Sequence, residues 1–111
     1  MNERISEEVQ RERRVRPPVH PGKVLELEFL DPLGMTAYQL ARALGVMPPR
    51  VYEIVRGERA VSADTALRLG RYFGTGPEFW INLQSHHDLE VARDRAGDKI
   101  EREVRPLSTT A

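Results

Sequence analysis

Arginine dominates one stretch of this chain, and its chemistry points to the recognition of phosphates and bases. Between Thr36 and Arg59, four arginines stand against two glutamates, which gives the stretch a net charge of +2. A planar guanidinium donates paired hydrogen bonds to the O6 and N7 acceptors of guanine and also binds phosphate oxygens. The whole chain, by contrast, has 17 basic and 17 acidic side chains. This balance excludes a polybasic, histone-like protein but allows a local basic face.

The same stretch has the sequence marks of a helix-turn-helix, in which a short turn joins two helices at a steep angle. Ala41 provides the small residue where the helices cross, and Gly45 tolerates the positive φ that a sharp turn requires. Val51 and Ile54, three residues apart, supply the inward side of the second helix. The alternative is an ordinary helical hairpin with a glycine turn. Several matches at these spacings favour the DNA-binding motif.

The geometry of the motif selects the residues that contact DNA. Its second helix, the reading helix, lies in the major groove with its first turn and outward side toward the base edges. Arg50 is the candidate for reading guanine, a contact that contributes about 1–3 kcal/mol of discrimination. Tyr52 suits a thymine methyl or a phosphate, and Glu53 suits cytosine N4. The complete set of predicted DNA contacts is Thr36, Gln39, Pro49, Arg50, Tyr52, Glu53, Arg56 and Arg59.

Two places are predicted to anchor the phosphate backbone. Thr36 and Gln39 fit a capping box at the start of the first helix of the motif. Free amides and the positive end of the helix dipole there attract an anion. Arg56 and Arg59 follow the reading helix, where cations meet the sugar-phosphate chain. Pro48–Pro49 removes two amide donors from the start of the reading helix, so its approach to DNA depends on side chains.

Helical patterns continue on both sides of the motif, and strand signals are absent. Pro21 suits the first position of a helix that has Leu27 on its apolar face and stops at Asp31–Pro32. Ser62 is a good N-cap for a fourth helix, with Leu67 among its buried residues. Five helices with short connections predict an all-α domain.

A last long helix is expected to open at Gly76–Pro77 and to weaken near Gly97. We therefore expect a charged N-terminal arm over residues 1–19, a helix-turn-helix domain over 20–96 and a C-terminal tail over 97–111. The arm is either a mobile tail or a segment that orders on a partner.

A single unit of this size makes few phosphate contacts, so we expect a homodimer on DNA. Beyond the residues that face the core, the last helix carries a second apolar stripe formed by Ile81, Leu89 and Ala92. We predict that this stripe is the dimer interface. The alternative is that it belongs to the core.

Composition excludes several other classes. The chain has no cysteine, which excludes disulfides, thiolate metal sites and a cysteine nucleophile. His86 and His87 are adjacent, so on a helix they point roughly 100° apart and cannot share a metal ion. No residues form a catalytic set, and no apolar run approaches the length of about 20 residues that spans a bilayer. We expect a cytoplasmic protein that is not an enzyme, with no metal, cofactor or membrane partner.

Residues 19–95 closely resemble the HigA-type antitoxins, which belong to the Cro/repressor-like helix-turn-helix proteins. The resemblance rests on His20–Gly22 and on the tracts VRGER, SADTALRLGRYFGT and EFWINLQ. It implies a lambda-repressor-like fold of five helices, with the turn at residues 45–47 and the reading helix at 48–55.

The resemblance also implies a function. HigA-type antitoxins are dimers that neutralise a HigB-type toxin, an mRNA-cleaving ribonuclease, and repress their shared operon by binding a palindromic operator. Double-stranded operator DNA, a cognate toxin and a second copy of the chain are therefore the expected partners. Ile100, Val104 and Leu107, at helical spacing in the tail, form a candidate toxin contact. The alternatives are a solitary repressor and a protein-interaction module without DNA affinity.

Overall fold

The computed structural model describes residues 17–108, and the part of the chain that it describes is helical with no strand. These residues divide into two compact units, one formed by Val19–His87 and the other containing the residues from Asp88 onward. Helix α1 consists of three consecutive segments, Pro21–Val24, Leu25–Leu30 and Asp31–Leu33. The other helices are α2 (Ala37–Leu44), α3 (Pro48–Val55), α4 (Ala63–Phe73) and α5 (Pro77–Glu103). The prediction of an all-α, five-helix fold is confirmed.

Helix α1 continues beyond its predicted end. The segment Leu25–Leu30 is π-helical, and the amide of Asp31 donates to the carbonyl of Glu26, five residues earlier. In a regular α-helix, the ring of Pro32 would clash with the carbonyl four residues before it. The wider π turn changes that spacing, so the helix passes through Pro32 and ends at Gly34, where φ is 61°. The predicted stop at Asp31–Pro32 is therefore wrong.

The hydrophobic core of residues 19–87 gathers around Trp80, which is fully buried. Its indole N–H donates to the Thr75 hydroxyl at 2.9 Å, and the ring of Phe29 lies 5.1 Å away between centroids. Every helix and the loop before α4 contribute buried apolar residues, namely Leu25, Leu30, Leu40, Ala41, Leu44, Val51, Ile54, Val61, Ala66, Leu69 and Trp80.

Two leucines that were predicted to be buried lie on the surface. Leu27 is 52% exposed and Leu67 is 60% exposed. Leu27 falls in the π-helical segment, where each residue advances less around the axis than in an α-helix, so the predicted face does not hold. On α4 the inward side is already occupied by residues 65, 66, 69 and 70. Leu67 follows Ala66 by about 100°, which turns it away from the core.

Predicted caps fix the ends of α2 and α4. The Ser62 hydroxyl accepts from the amide of Thr65 at 3.2 Å, and α4 ends at Gly74 with φ 75°. One buried polar contact was not predicted: the side chain of Gln84, on α5, accepts from the amide of Val61 at 2.8 Å. This bond joins the loop before α4 to α5. It also gives a partner to the buried amide of Val61, which would be costly to leave without one.

Helix α5 is continuous through Gly97 to Glu103, so the predicted weakening near Gly97 is wrong. A single interior glycine costs only about 1 kcal/mol relative to alanine, and pairs such as Lys99–Glu103 (3.9 Å) line the helix surface. The boundary expected between residues 96 and 97 lies inside this helix. Of the predicted N-terminal arm, residues 1–16 lie outside the described residues, as do residues 109–111 of the tail.

None of the helices between residues 17 and 108 is long and apolar enough to cross a membrane. Over the same range, no three side chains of the histidine, cysteine, aspartate or glutamate type come together in a way that could hold a metal ion. His87, which was considered as a ligand, packs its ring edge-on against His20 with 4.9 Å between centroids.

Gly22 sets how closely α1 approaches α3. It is buried in the first turn of α1, and a β-carbon at this position would overlap the carbonyl oxygen of Ile54 and lie 3.0 Å from the Cα of Val55. The missing side chain therefore allows the backbone of α1 to rest directly on the last turn of α3. His20 fixes the start of α1, because its Nδ1 accepts from the amide of Gly22 at 2.9 Å.

Replacing Gly22 tests this contact. We expect Gly22→Ala to lower the free energy of unfolding by about 1–3 kcal/mol or more, because one helix backbone has to move away from another. The control is Gly97→Ala, where the nearest neighbouring atom to an added β-carbon is 3.9 Å away. The control should keep or raise stability by about 0.5–1 kcal/mol. Chemical denaturation followed by circular dichroism measures both, and equal stabilities of the two variants would contradict the packing described here.

Candidate nucleic-acid interface

Helices α2 and α3 form the helix-turn-helix, and the turn between them is residues 45–47. Gly45 has φ 72°, and its amide donates to the carbonyl of Arg42 at 3.2 Å. The amide of Val46 donates to the carbonyl of Ala41 at 3.0 Å. This is the paired bonding of a Schellman motif, which closes the end of α2. Val51 and Ile54 are each 1% exposed, so the inward side of α3 is the one predicted.

The outward side of α3 carries the predicted reading residues. Pro49 and Tyr52 are exposed, and Arg50 and Glu53 are half-buried. Pro48 and Pro49 occupy the first two positions of the helix, and the cap residue before them makes no side-chain hydrogen bond. The helix therefore begins in a fixed conformation and presents side chains, not amides, at its first two positions.

The start of α2 has the predicted capping box. Thr36 and Gln39 are both exposed, but they form a complete capping box: the Thr36 hydroxyl accepts from the amide of Gln39 at 3.0 Å, and the Gln39 side chain accepts from the amide of Thr36 at 2.9 Å. These two amides are thus already used within the helix, so a phosphate at this end would meet the other amides of the first turn and the side chains. Both side chains keep donors that the cap does not use, the Thr36 hydroxyl and the Gln39 amide group.

Each predicted arginine is paired with a carboxylate. Arg50 Nη1 lies 2.8 Å from Asp64 Oδ2, Arg59 Nε lies 2.7 Å from Glu53 Oε1, and Arg56 Nε lies 3.2 Å from Glu58 Oε1. Arg56 and Arg59 lie near their partners in the sequence, whereas Arg50 and Asp64 are 14 residues apart. All three pairs are partly exposed to solvent, where such pairs contribute about 0–1 kcal/mol and exchange readily with other anions.

Arg68 joins the motif to helix α4. Its Nη1 donates to the carbonyl of Leu44, the last residue of α2, at 2.8 Å, and its Nε donates to Asp64 Oδ2 at 2.9 Å. The same oxygen of Asp64 accepts from Arg50. Hydrogen bonds from Arg68, and then from Arg50, lower the pKa of the Asp64 carboxyl below its ordinary value of 3.8. The carboxylate form is therefore favoured between the two guanidiniums.

Comparisons with known proteins identify this arrangement. Residues 27–80 match the helix-turn-helix family. The chain is 48% identical over 96 residues to Virulence-associated protein I of Dichelobacter nodosus, and the match covers 86% of both chains. It is 38% identical over 92 residues to Antitoxin HigA-1 of Vibrio cholerae serotype O1, which covers 83% of this chain and 86% of that protein. The chain belongs to the HigA family of antitoxins.

A solved structure of a HigA antitoxin has the same fold. The Pseudomonas aeruginosa antitoxin HigA, solved with the higBA promoter, is 49% identical to this chain and superposes with a TM-score of 0.80. The superposition covers 82% of this chain and 99% of that one. The resemblance noted in the sequence is therefore confirmed. The relatives named here are antitoxins or virulence-associated proteins, and none of them is described as an enzyme.

The residues predicted for a HigA-type dimer interface have different environments. Ile81 is half-buried and packs against the core of residues 19–87. Leu89 and Ala92 are exposed on the later part of α5. Farther on, Ile100, Val104 and Leu107 are exposed as well. Helix α5 ends at Glu103, and the amide of Val104 donates to the carbonyl of Ile100 at 2.8 Å. The predicted helical stripe does not reach Leu107.

Asp64 and Arg68 were not predicted as part of the site. They are four residues apart on α4, a spacing that indicates a pair within one helix. Arg50 and Asp64, however, are 14 residues apart, and Arg68 and Leu44 are 24 residues apart. These contacts depend on how α4 packs beside the motif, so no local pattern in the sequence reveals them.

A titration tests the environment of Asp64. Because its pKa is lowered in the folded chain, its pairing stabilises the fold at pH values above 3.8 and is lost as the pH falls through the lowered pKa. Carboxyl carbon shifts in NMR should give a midpoint below 3.8, and Arg68→Met should move that midpoint upward. Arg56→Met is the control and should leave it in place. A wild-type midpoint at or above 3.8 would rule out the pairing.

Proposed function

We propose that this chain is an antitoxin that binds operator DNA through α3, represses its own operon and neutralises a HigB-type, mRNA-cleaving toxin. The observation that carries the proposal is the position of Arg50, in the first turn of a helix whose opposite side is locked into the core by Val51 and Ile54. The similarity to a HigA antitoxin solved with promoter DNA supports it. The protein acts in the cytoplasm by binding alone, without a cofactor or a catalytic reaction.

Base reading rests on the outward side of α3. Arg50 donates to guanine O6 and N7 with the edge of its guanidinium that Asp64 does not hold. Tyr52 contacts a thymine methyl or a phosphate, Glu53 accepts from cytosine N4, and Pro49 packs against the groove wall. A good bidentate contact contributes about 1–3 kcal/mol of discrimination, so Arg50 accounts for most of the direct readout.

Phosphate binding rests on residues at the ends of the motif. Arg56 and Arg59 follow α3 and are paired with Glu58 and Glu53 in the free chain. On DNA these guanidiniums exchange their carboxylates for phosphate oxygens, which bind them with similar geometry. Thr36 and Gln39 contribute side-chain contacts from the start of α2. Since the first two residues of α3 are prolines, the protein holds the backbone with side chains.

A homodimer is part of the proposal. A single helix-turn-helix covers one half-site, and two copies are needed for a palindromic operator. Leu89 and Ala92, exposed on α5, are candidates for the contact between copies. Ile81, half-buried against the core, begins the same stripe and stays part of the proposed interface.

Two substitutions separate reading from anchoring. Arg50→Ala should weaken binding to a duplex from the upstream promoter by about 1–3 kcal/mol and leave binding to a scrambled duplex of equal length nearly unchanged. Arg59→Ala should weaken both alike and reduce the salt dependence by about one unit of slope. Fluorescence titrations at several salt concentrations measure these effects and also the stoichiometry, expected as two chains per operator. Equal losses on both duplexes for Arg50→Ala would contradict the assignment of the reading residue.

Toxin binding is tested by co-expression with the neighbouring reading frame. We expect the chain to co-purify with a small basic protein encoded there and to abolish that protein's cleavage of mRNA in a translation extract. Operator binding without any such partner would indicate a solitary repressor. A partner without operator binding would indicate a protein-interaction module.

A further inference from the structure

We infer that Asp64, on α4 and outside the helix-turn-helix, is a specificity-determining residue that positions the guanidinium of Arg50 for base reading. The inference rests on the proposed function, because it concerns how α3 distinguishes an operator from other DNA. Asp64 does not contact the bases itself in this proposal; it acts by holding the side chain of Arg50.

A chain of hydrogen bonds runs from the backbone of the motif to Arg50. The carbonyl of Leu44 accepts from Arg68 Nη1 at 2.8 Å, and Arg68 Nε donates to Asp64 Oδ2 at 2.9 Å. The same Oδ2 accepts from Arg50 Nη1 at 2.8 Å. Arg68 is therefore fixed to the end of α2, Asp64 is fixed to Arg68, and Arg50 is fixed to Asp64.

The other ion pairs of this face lack such an anchor. Arg56 pairs with Glu58 two residues away, beside a loop, and the two side chains are 58% and 57% exposed. The side chain of Arg50 is 34% exposed and that of Asp64 is 58% exposed, but this pair joins two helices over 14 residues, and Arg68 holds the same carboxylate oxygen. The lowered pKa of Asp64, caused first by Arg68 and then by Arg50, agrees with a carboxylate held between two guanidiniums. The geometry thus separates this pair from ordinary surface pairs.

Holding Arg50 has opposite effects on specific and non-specific DNA. A flexible arginine loses side-chain freedom when it binds a base, and an arginine that is already held loses less. A guanidinium has five N–H donors, so Asp64 can hold one edge and leave another for guanine. The negative charge of Asp64 also repels phosphates of any sequence. Asp64 therefore raises the ratio of operator affinity to random-DNA affinity, since specificity is a difference between two affinities.

The experiment compares Asp64→Asn with Glu58→Gln, because each removes one negative charge from a carboxylate paired with an arginine. Both proteins are titrated at one salt concentration against the promoter duplex and the scrambled duplex. Glu58→Gln should tighten both complexes equally and leave the affinity ratio unchanged. Asp64→Asn should tighten the scrambled complex by the same factor but lower the ratio by about three- to tenfold. Thermal unfolding checks that both variants are folded at the temperature of the titration.

A double substitution shows whether Asp64 acts through Arg50. In an Arg50→Ala background, Asp64→Asn should leave the affinity ratio unchanged, because the residue that it positions is absent. A lowered ratio in that background would overturn the inference, as would an unchanged ratio for Asp64→Asn alone. If Arg50→Ala itself leaves the ratio unchanged, the proposed reading residue is wrong and this inference falls with it. If Arg50→Ala lowers the affinity ratio but Asp64→Asn does not, the inference about Asp64 is wrong and the proposed function stands.

Discussion

The backbone contact between α1 and α3 is the constraint on which the rest of the molecule depends. Helix α3 has eight residues, too few for a helix that is stable in water by itself. Helix α1 supports the buried side of α3, because Gly22 has no side chain and lets α1 lie against the carbonyl of Ile54. Val51 and Ile54 then reach the core around Trp80, and the opposite side of α3 is left to solvent. A helix that is fixed on one side presents the other in a defined orientation, as recognition requires.

Most of the positive charge on this surface is paired with carboxylates, although the motif itself carries a net charge of +2. Three of the four arginines of the motif are paired with carboxylates from α3, from the loop after it and from α4. Pairs of this kind contribute little to stability in water, so DNA phosphates can replace the carboxylates at small cost. The anchored pair of Arg50 and Asp64 differs, because Arg68 connects it to the backbone of α2. Electrostatics in this protein therefore acts more on the orientation of side chains than on the free energy of folding.

Local signals in the sequence predicted most of the fold. The capping box of Thr36, the N-cap of Ser62 and the turn at Gly45 each depend on residues within three or four positions, and all three are present. The predictions that were wrong depend on neighbouring segments or on packing between helices, which single short patterns do not contain. The helix continues through Pro32 because a π segment precedes it, and Leu67 is exposed because its neighbours already fill the core face. The partners of Arg50 and Arg68 depend on the packing of α4 beside the motif, which spacing alone does not give.

The bond from Arg68 to the carbonyl of Leu44 has a consequence for protein engineering. The end of α2 is completed by a side chain from α4, and the end of α3 is supported by a glycine from α1. A graft of residues 36–59 onto a foreign scaffold would leave both supports behind. The core around Trp80 also requires the first part of α5. The smallest portable recognition module is accordingly the compact unit Val19–His87, and libraries that vary the outward residues of α3 should be built on that larger segment.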